Sequence, residues 1–242
     1  MKISKKYSER FKDKKIVDYY DKKEYGESSY YSLVWDIEKE ILRNEIEKIG
    51  EKEINYLDFA CGTGRVISYV ENYVNKSTGI DISKEMLSVA KERVKVSQLF
   101  QKNILEDQLN EKYDLITSFR FFLNTENEIR KKIFHQISKS MKKDSIFIFS
   151  IQGNKLSFRF FIFLINFMFG KRLNQLSYFK IVKMLKKENL TVVNYYGIGF
   201  LPKFLYKIKF IRMMIYKIDK ILYKSNLVRL FSHNLIFVVK LK

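Results

Sequence analysis

Several residue types are nearly missing. Among 242 residues there is one cysteine, Cys61, one proline, Pro202, and two histidines, His135 and His233. A single cysteine excludes an internal disulfide framework, and the charged start MKISKKYSERFKDKK has no apolar stretch behind it to read as a secretory leader. The expected location is therefore a reducing, cytoplasmic compartment. Long apolar runs are missing too. The longest, residues 160–170, is eleven residues with an Asn inside and Arg159 before it, against the roughly 20 that a membrane-crossing helix takes. No Pro/Gly-rich linker or internal repeat marks a boundary, so one domain with additions is expected from a chain that is 46% apolar.

Acidic residues are missing from one half only. Residues 1–150 hold 28 Lys+Arg against 25 Asp+Glu, whereas residues 151–242 hold 18 against 2. A coding bias toward lysine inflates it everywhere but does not by itself strip acids from one half. A basic, aromatic C-terminal region facing an anionic substrate or surface is the reading this asymmetry supports.

What is present alternates. Helical spacing over Leu33, Ile37, Ile41, Ile46 and Ile49, stopped by Gly50, predicts two helices before the first strand. Strands are then expected at 54–59, 76–80, 97–102, 113–118, 145–150 and 190–196, with LIFVVKL closing the chain. Helices are expected at about 65–75, 83–94, 126–141 and 177–188, with a basic helical region after Pro202. Such alternation reads as βαβ units, an α/β fold with a parallel sheet covered on both faces, in which ligands bind at the carboxyl ends of the strands. The stretch from 153 to 175 reads as an insertion near that ligand face.

YLDFACGTG stands at such an end. Its Gly62-x-Gly64 turn lets the backbone approach a ligand and offers it a helix N-terminus. Ile67 stands where a dinucleotide fingerprint needs its third glycine, and Asp58 would repel a pyrophosphate while accepting from an ammonium group. Asp81 closes the second strand, where a carboxylate can take both hydroxyls of a ribose or cap the next helix, although Ser83 can serve as that cap. Asn103, at the end of the third strand, could meet an adenine edge or form an ordinary turn.

Together these stretches resemble the Rossmann-like (class I) S-adenosylmethionine-dependent methyltransferases. LDFACGTGR is similar to their first motif, and TGIDISKEMLSVAKER to their second strand and following helix. The resemblance implies a mostly parallel seven-stranded sheet with helices on both faces, an N-terminal helical cap over residues 1–50, and a core over 51–152. It also implies a substrate-side insertion with basic helices and the last strands over 153–242. S-adenosylmethionine would be held by Asp58, Ala60, Cys61, Gly62, Thr63 and Gly64 at its methionine portion and by Asp81, Ile82 and Met86 around the ribose. Asn103 and Ile104 would meet the adenine, and Ser118 and Phe119 would flank the methyl group. The product would be S-adenosylhomocysteine, and no metal is expected. YDLITSFRFFLN, IQGNKLSFR, GIGFLP and HNLIFVVK are similar to members that accompany bacterial glycosyltransferases in polysaccharide or lipid biosynthesis.

Methyl transfer needs alignment more than a base. Ser118, Arg120 and Asn124 are expected beside the methyl acceptor, with Arg120 suited to a carboxylate or phosphate. Phe119, Phe121 and Phe122 together read as core. His135 is a candidate base that falls off the apolar stripe of its helix, and His233 is expected near the surface. Tyr20, Tyr25 and Tyr31 are candidates for a lid whose ring faces meet a sulfonium.

The acceptor expected from all this is a small molecule, a sugar or a lipid-linked intermediate. Nucleic acid suits the charge, but the Asn/Asp-Pro-Pro-aromatic loop of amino-methylating nucleic-acid enzymes is missing after the fourth strand. A nucleoside-binding subunit that does not turn over is the other alternative. The stripe Phe204, Ile208, Ile211, Ile215, Ile218 and Leu222, flanked by Lys203, Lys207, Arg212, Lys217, Lys220 and Lys224, either packs on the sheet or lies in an anionic headgroup layer at the inner membrane face. Oligomeric state is not legible.

Overall fold

A computed structural model describes residues 13–26, 29–50, 53–107, 109, 111–158, 160 and 176–242. Most of the expected insertion, and the side chains of Tyr25 and Asn124, lie outside the described residues.

Seven strands form one sheet: β1 (Asn55–Phe59), β2 (Lys76–Asp81), β3 (Gln98–Gln101), β4 (Tyr113–Ser118), β5 (Met141–Gln152), β6 (Leu190–Ile198) and β7 (Asn234–Leu241). Their order is β3-β2-β1-β4-β5-β7-β6, and β7 alone runs antiparallel to its neighbours. The order reverses between β1 and β4, so the first glycine turn opens where the crossovers part to opposite sides and leave a crevice.

Alternation along the strands divides the core into two layers. Tyr56, Leu115, Ile146, Ile148, Ile236 and Val238 face one side, where α2 (Tyr30–Glu47) supplies Leu33, Val34, Ile37 and Ile41. Leu57, Ile116, Phe147, Phe149, Phe237 and Val239 face the other, against α5 (Asn127–Ser140) and α6 (Tyr178–Lys186). On that second side Phe147, Phe149 and Phe237 stack with ring centroids 4.7 and 5.1 Å apart.

The two expected leading helices are α1 (Lys14–Tyr25) and α2, each started by a side chain that accepts a backbone N–H, Asp13 and Ser29. The expected helix at 65–75 is shorter. Only α3 (Ile67–Val70) and a 3₁₀ turn (Glu71–Tyr73) form, because the Asn72 amide caps the carbonyls of Ser68 and Tyr69. Glu71 turns away to accept from the N–H groups of Lys95, Val96 and Ser97 at the start of β3. Ser83 caps α4 (Lys84–Arg93) through Met86 N–H, as its spacing predicts. The fifth strand is longer than 145–150. It begins at Met141 and is interrupted by an irregular register and by Asp144 at φ 65°.

Two features differ from the sequence expectation. His233 is 1% exposed, not near the surface, since its backbone N–H bonds Gly199 O and its ring lies 5.7 Å from Phe158. The apolar stripe of the last helix, α7 (Lys209–Leu222), is turned inward, with Ile215 buried and Ile211 packed on the first core layer. Ile211 and Ile215 therefore face the core, while Phe204 and Ile208 of the same stripe stay 64% and 46% exposed. Helix α7 runs beside α2 with a constant offset, Arg212 bonding Ser32 and Lys220 bonding Glu40 eight residues further along each helix. No helix among the described residues is long and apolar enough to cross a membrane.

Candidate active site

The chain leaves β1 through Ala60 at φ 56°, Gly62 at φ 56° and Gly64 at φ 76°. A left-handed alanine is strained and is held by Cys61 N–H bonding Ile80 O at 3.0 Å. Gly62 has open space where a Cβ would stand, whereas at Gly64 a Cβ would lie 2.9 Å from that of Ala90 on α4. The first glycine thus faces a cleft and the second lets the turn seat on a helix.

Asp58 ends β1 at 1% exposure. Its Oδ1 accepts from the Thr117 hydroxyl at 2.6 Å, and Thr117 Oγ1 lies 2.6 Å from the Tyr56 hydroxyl. Its Oδ2 is buried with no hydrogen-bond partner among the described residues. Burial pushes the Asp58 carboxyl up to about 7, against the downward pull of Thr117, Arg65 and the Ile67 N–H. Asp81, at the end of β2, accepts from Gly62 N–H at Oδ2 and from Ser83 N–H at Oδ1, both at 2.9 Å. Burial raises it as well, despite those backbone donors. Desolvation, then Asp58 and Asp81, push the Cys61 thiol well up, so it is no nucleophile.

Ser118 and Phe119 end β4, both buried, and the Ser118 hydroxyl has no partner among the described residues. Arg120 follows at φ 61°, its N–H fixed by Ser150 Oγ at 2.8 Å. Its guanidinium lies 4.5 Å over the Tyr31 ring and bonds Glu38 Oε2 at 3.2 Å. Lys203 reaches the same tyrosine, Nζ donating to Tyr31 Oη at 2.6 Å. Phe122 is core, and Phe121 packs edge-on against Phe59.

These positions converge on the carboxyl ends of β1, β2 and β4. Ile82 is half exposed beside Asp81, Ile104 is buried in the second core layer, and Met86 packs under α1 against Val17 and Tyr20. Asn103 turns its Oδ1 back to Leu105 N–H, leaving only its amide NH₂ for a base edge. His135 is not brought to the cleft. It is half exposed on α5, with Nδ1 2.9 Å from Glu188 Oε2, near the start of β6 and hence at the opposite end of the sheet.

Two features had no recognisable motif. Glu38 is 2% exposed and accepts from both Arg120 and Arg65; an acid among the apolar positions of α2 was the only sign of it. Asp21 on α1 bonds the Thr63 hydroxyl at 2.7 Å and Arg93 Nη2 at 2.6 Å, clamping the first helix over the glycine turn.

An unpartnered buried carboxylate oxygen, an open glycine beside it and an acid closing the next strand fit a ligand that carries an ammonium group and a ribose. Among the described residues no group of three or more His, Cys, Asp or Glu side chains could hold a metal ion.

Residues 57–149 match the family model described as "Methyltransferase domain". A protein of Methanocaldococcus jannaschii, named uncharacterized protein MJ1252, is 32% identical over 138 residues, 56% of this chain and 51% of that one. The chain spans between about a third and a half of the length of the curated relatives it matches. The fold as a whole is similar to that of solved S-adenosylmethionine-dependent methyltransferases. A structure of an S-adenosylmethionine-dependent methyltransferase from Clostridium acetobutylicum superposes with a TM-score of 0.63 at 19% identity, covering 94% of this chain and 98% of that one. Magnesium protoporphyrin IX methyltransferase from Synechocystis, solved with S-adenosylhomocysteine, gives 0.65 at 14% identity over 95% and 99%.

Proposed function

We propose that the protein binds S-adenosylmethionine in the cleft between the ends of β1 and β4 and transfers its methyl group to a small acceptor, one carried on a sugar or a lipid. The observation that carries this reading is Asp58, a buried carboxylate whose second oxygen has no hydrogen-bond partner among the described residues, at a left-handed glycine turn whose Gly62 is open. Bound there, the nucleoside supplies an electrophilic methyl group on a sulfonium.

The chain's own residues then have three tasks. Asp58 takes the ammonium group, and Asp81, held rigid by Gly62 and Ser83, takes the ribose hydroxyls. Phe119 and Ser118 wall the methyl side, and α1, clamped through Asp21, excludes water. Tyr31, Arg120 and Lys203 form a basic and aromatic rim that suits an acceptor carrying phosphate or carboxylate. Alignment of this kind supplies on the order of 7–11 kcal/mol of a transfer barrier, which leaves no need for a histidine in the cleft.

Calorimetry with S-adenosylmethionine and S-adenosylhomocysteine, on the parent and on Asp81→Ala, tests the nucleoside site. Binding in the micromolar range that Asp81→Ala weakens at least tenfold is expected; no binding of either nucleoside by the parent protein ends this reading. Radiolabelled methyl transfer to lipid-linked and free sugar phosphates tests the acceptor, and binding without turnover on any of them would favour a regulatory subunit.

A further inference from the structure

Helix α7 has two apolar faces. One packs inward through Ile211 and Ile215. The other is made by Phe210, Met213, Met214 and Ile221, whose spacing of three, four, seven and eleven residues puts them on one stripe. These four are 94%, 57%, 57% and 75% exposed, with the exposed Lys217 in their midst and Lys224 one turn beyond. Ordinary soluble helices do not turn a contiguous stripe of this kind to water.

Charge identifies what covers it. Residues 151–242 contain only two acids. One, Asp219, is 2% exposed and accepts from the Tyr206 hydroxyl and from Gly199 and Phe200 N–H groups; the other, Glu188, pairs with His135 on α5. The outer face of α7 thus presents apolar side chains ringed by lysines with no carboxylate of its own. A second copy docking by the same face would set Lys217 against Lys217. A nucleic acid would use the lysines but leave Phe210 and Ile221 in water. An anionic bilayer offers phosphates for the lysine heads and acyl chains for the apolar stripe.

We propose that the outer face of α7 docks the protein on an anionic phospholipid surface. The N-terminal end of this helix lies at Tyr31 and Arg120: Arg212 bonds Ser32, and Lys203, just before α7, bonds Tyr31. Docking therefore sets the mouth of the cleft beside the headgroup layer, where a lipid-linked acceptor would be presented. The docking itself does not rest on the methyl-transfer reading, because vesicle binding is measured with neither donor nor acceptor.

The test is co-sedimentation of the full chain with phosphatidylcholine vesicles and with vesicles containing phosphatidylglycerol, at low and high salt. Binding at least tenfold tighter to the anionic vesicles, and weakened by salt, is expected. Phe210→Ser with Ile221→Ser should weaken it by more than tenfold while leaving the melting temperature unchanged, since both side chains are already in water. Lys217→Ala with Lys224→Ala should weaken it by roughly 25-fold, fivefold for each ~1 kcal/mol charge. A Phe210→Trp emission that shifts to the blue on anionic vesicles places the side chain in the interface. Failure to bind either vesicle, or binding that the serine pair leaves intact, overturns the proposal. So does a dimer in light scattering that the serine pair dissociates, which would make this face a contact between copies.

Discussion

Two groups of carboxylates in this fold invite comparison, those at the ends of β1 and β2 and those along the wall that α2 shares with α7, and they are neutralised differently. Along the wall Glu38 takes two arginines and Glu45 takes Tyr196 and Lys48, while Asp219 is the exception, taking the Tyr206 hydroxyl and the Gly199 and Phe200 N–H groups. In the cleft Asp58 and Asp81 take hydroxyl and backbone donors, with Arg65 adding a charge–charge pull on Asp58. Burying an acid without a cation is costly and raises its proton affinity. Glu38 and Glu45 are tied to cationic side chains of the fold, whereas burial keeps Asp58 and Asp81 raised, as the proposed ammonium-bearing ligand requires.

The largest effect expected from breaking this comparison lies on the wall. Glu38→Ala would strand two partly or wholly buried guanidinium groups and should cost about 3–5 kcal/mol in a urea titration. A loss below about 1 kcal/mol would mean that the wall does not depend on its ion pairs. In the cleft, Asp58→Asn removes charge without volume, so stability should hold or rise while S-adenosylmethionine affinity falls about 10- to 100-fold, the range for a charged hydrogen bond. Calorimetry reads this directly, and an unchanged affinity would move the ammonium group elsewhere.

A subtler effect follows from the Asp58 carboxyl standing at about 7 against 3.8 in an unfolded chain. Between those values the fold holds a proton that the unfolded chain has released. The stability this contributes is complete below pH 3.8 and is lost as pH rises through about 7. A ligand bearing an ammonium group selects the ionised form instead, so its affinity should fall about tenfold per pH unit below 7, and Asp58→Asn should abolish that slope. The smallest effect belongs to His135→Gln, far from both regions: stability within about 0.5 kcal/mol and turnover unchanged.

The cleft was easier to read from sequence than the wall, and the reason is geometric. Asp58, Gly62, Gly64, Asp81 and Ser83 lie within 26 consecutive residues, and each acts through its own backbone or through the next strand, so local spacing encodes the arrangement. Strands β1, β2 and β4 and the cap of α4 could be placed from the same kind of signal. On the wall, Glu38 meets Arg120 across 82 positions, and over the glycine turn, where spacing also gave no sign, Asp21 meets Arg93 across 72. No periodicity announces such pairs. The same limit governs α7: its inner stripe has the spacing of an amphipathic helix, but which of two apolar faces reaches the core depends on the position of α2. His233 was misplaced because a polar residue before a strand reads as a loop, although Gly199 and Phe158 enclose it.

The hydrogen-bonded row Tyr56–Thr117–Asp58 fixes more than a carboxylate position. Thr117 has one hydroxyl proton, and while it is given to Asp58 Oδ1 the Tyr56 hydroxyl must point its own proton at Thr117. A proton taken up by Asp58 then rests on Oδ2, the buried oxygen with no hydrogen-bond partner among the described residues. Asp58 Oδ2 consequently changes character with acidity, an O–H donor below about pH 7 and a bare acceptor above it.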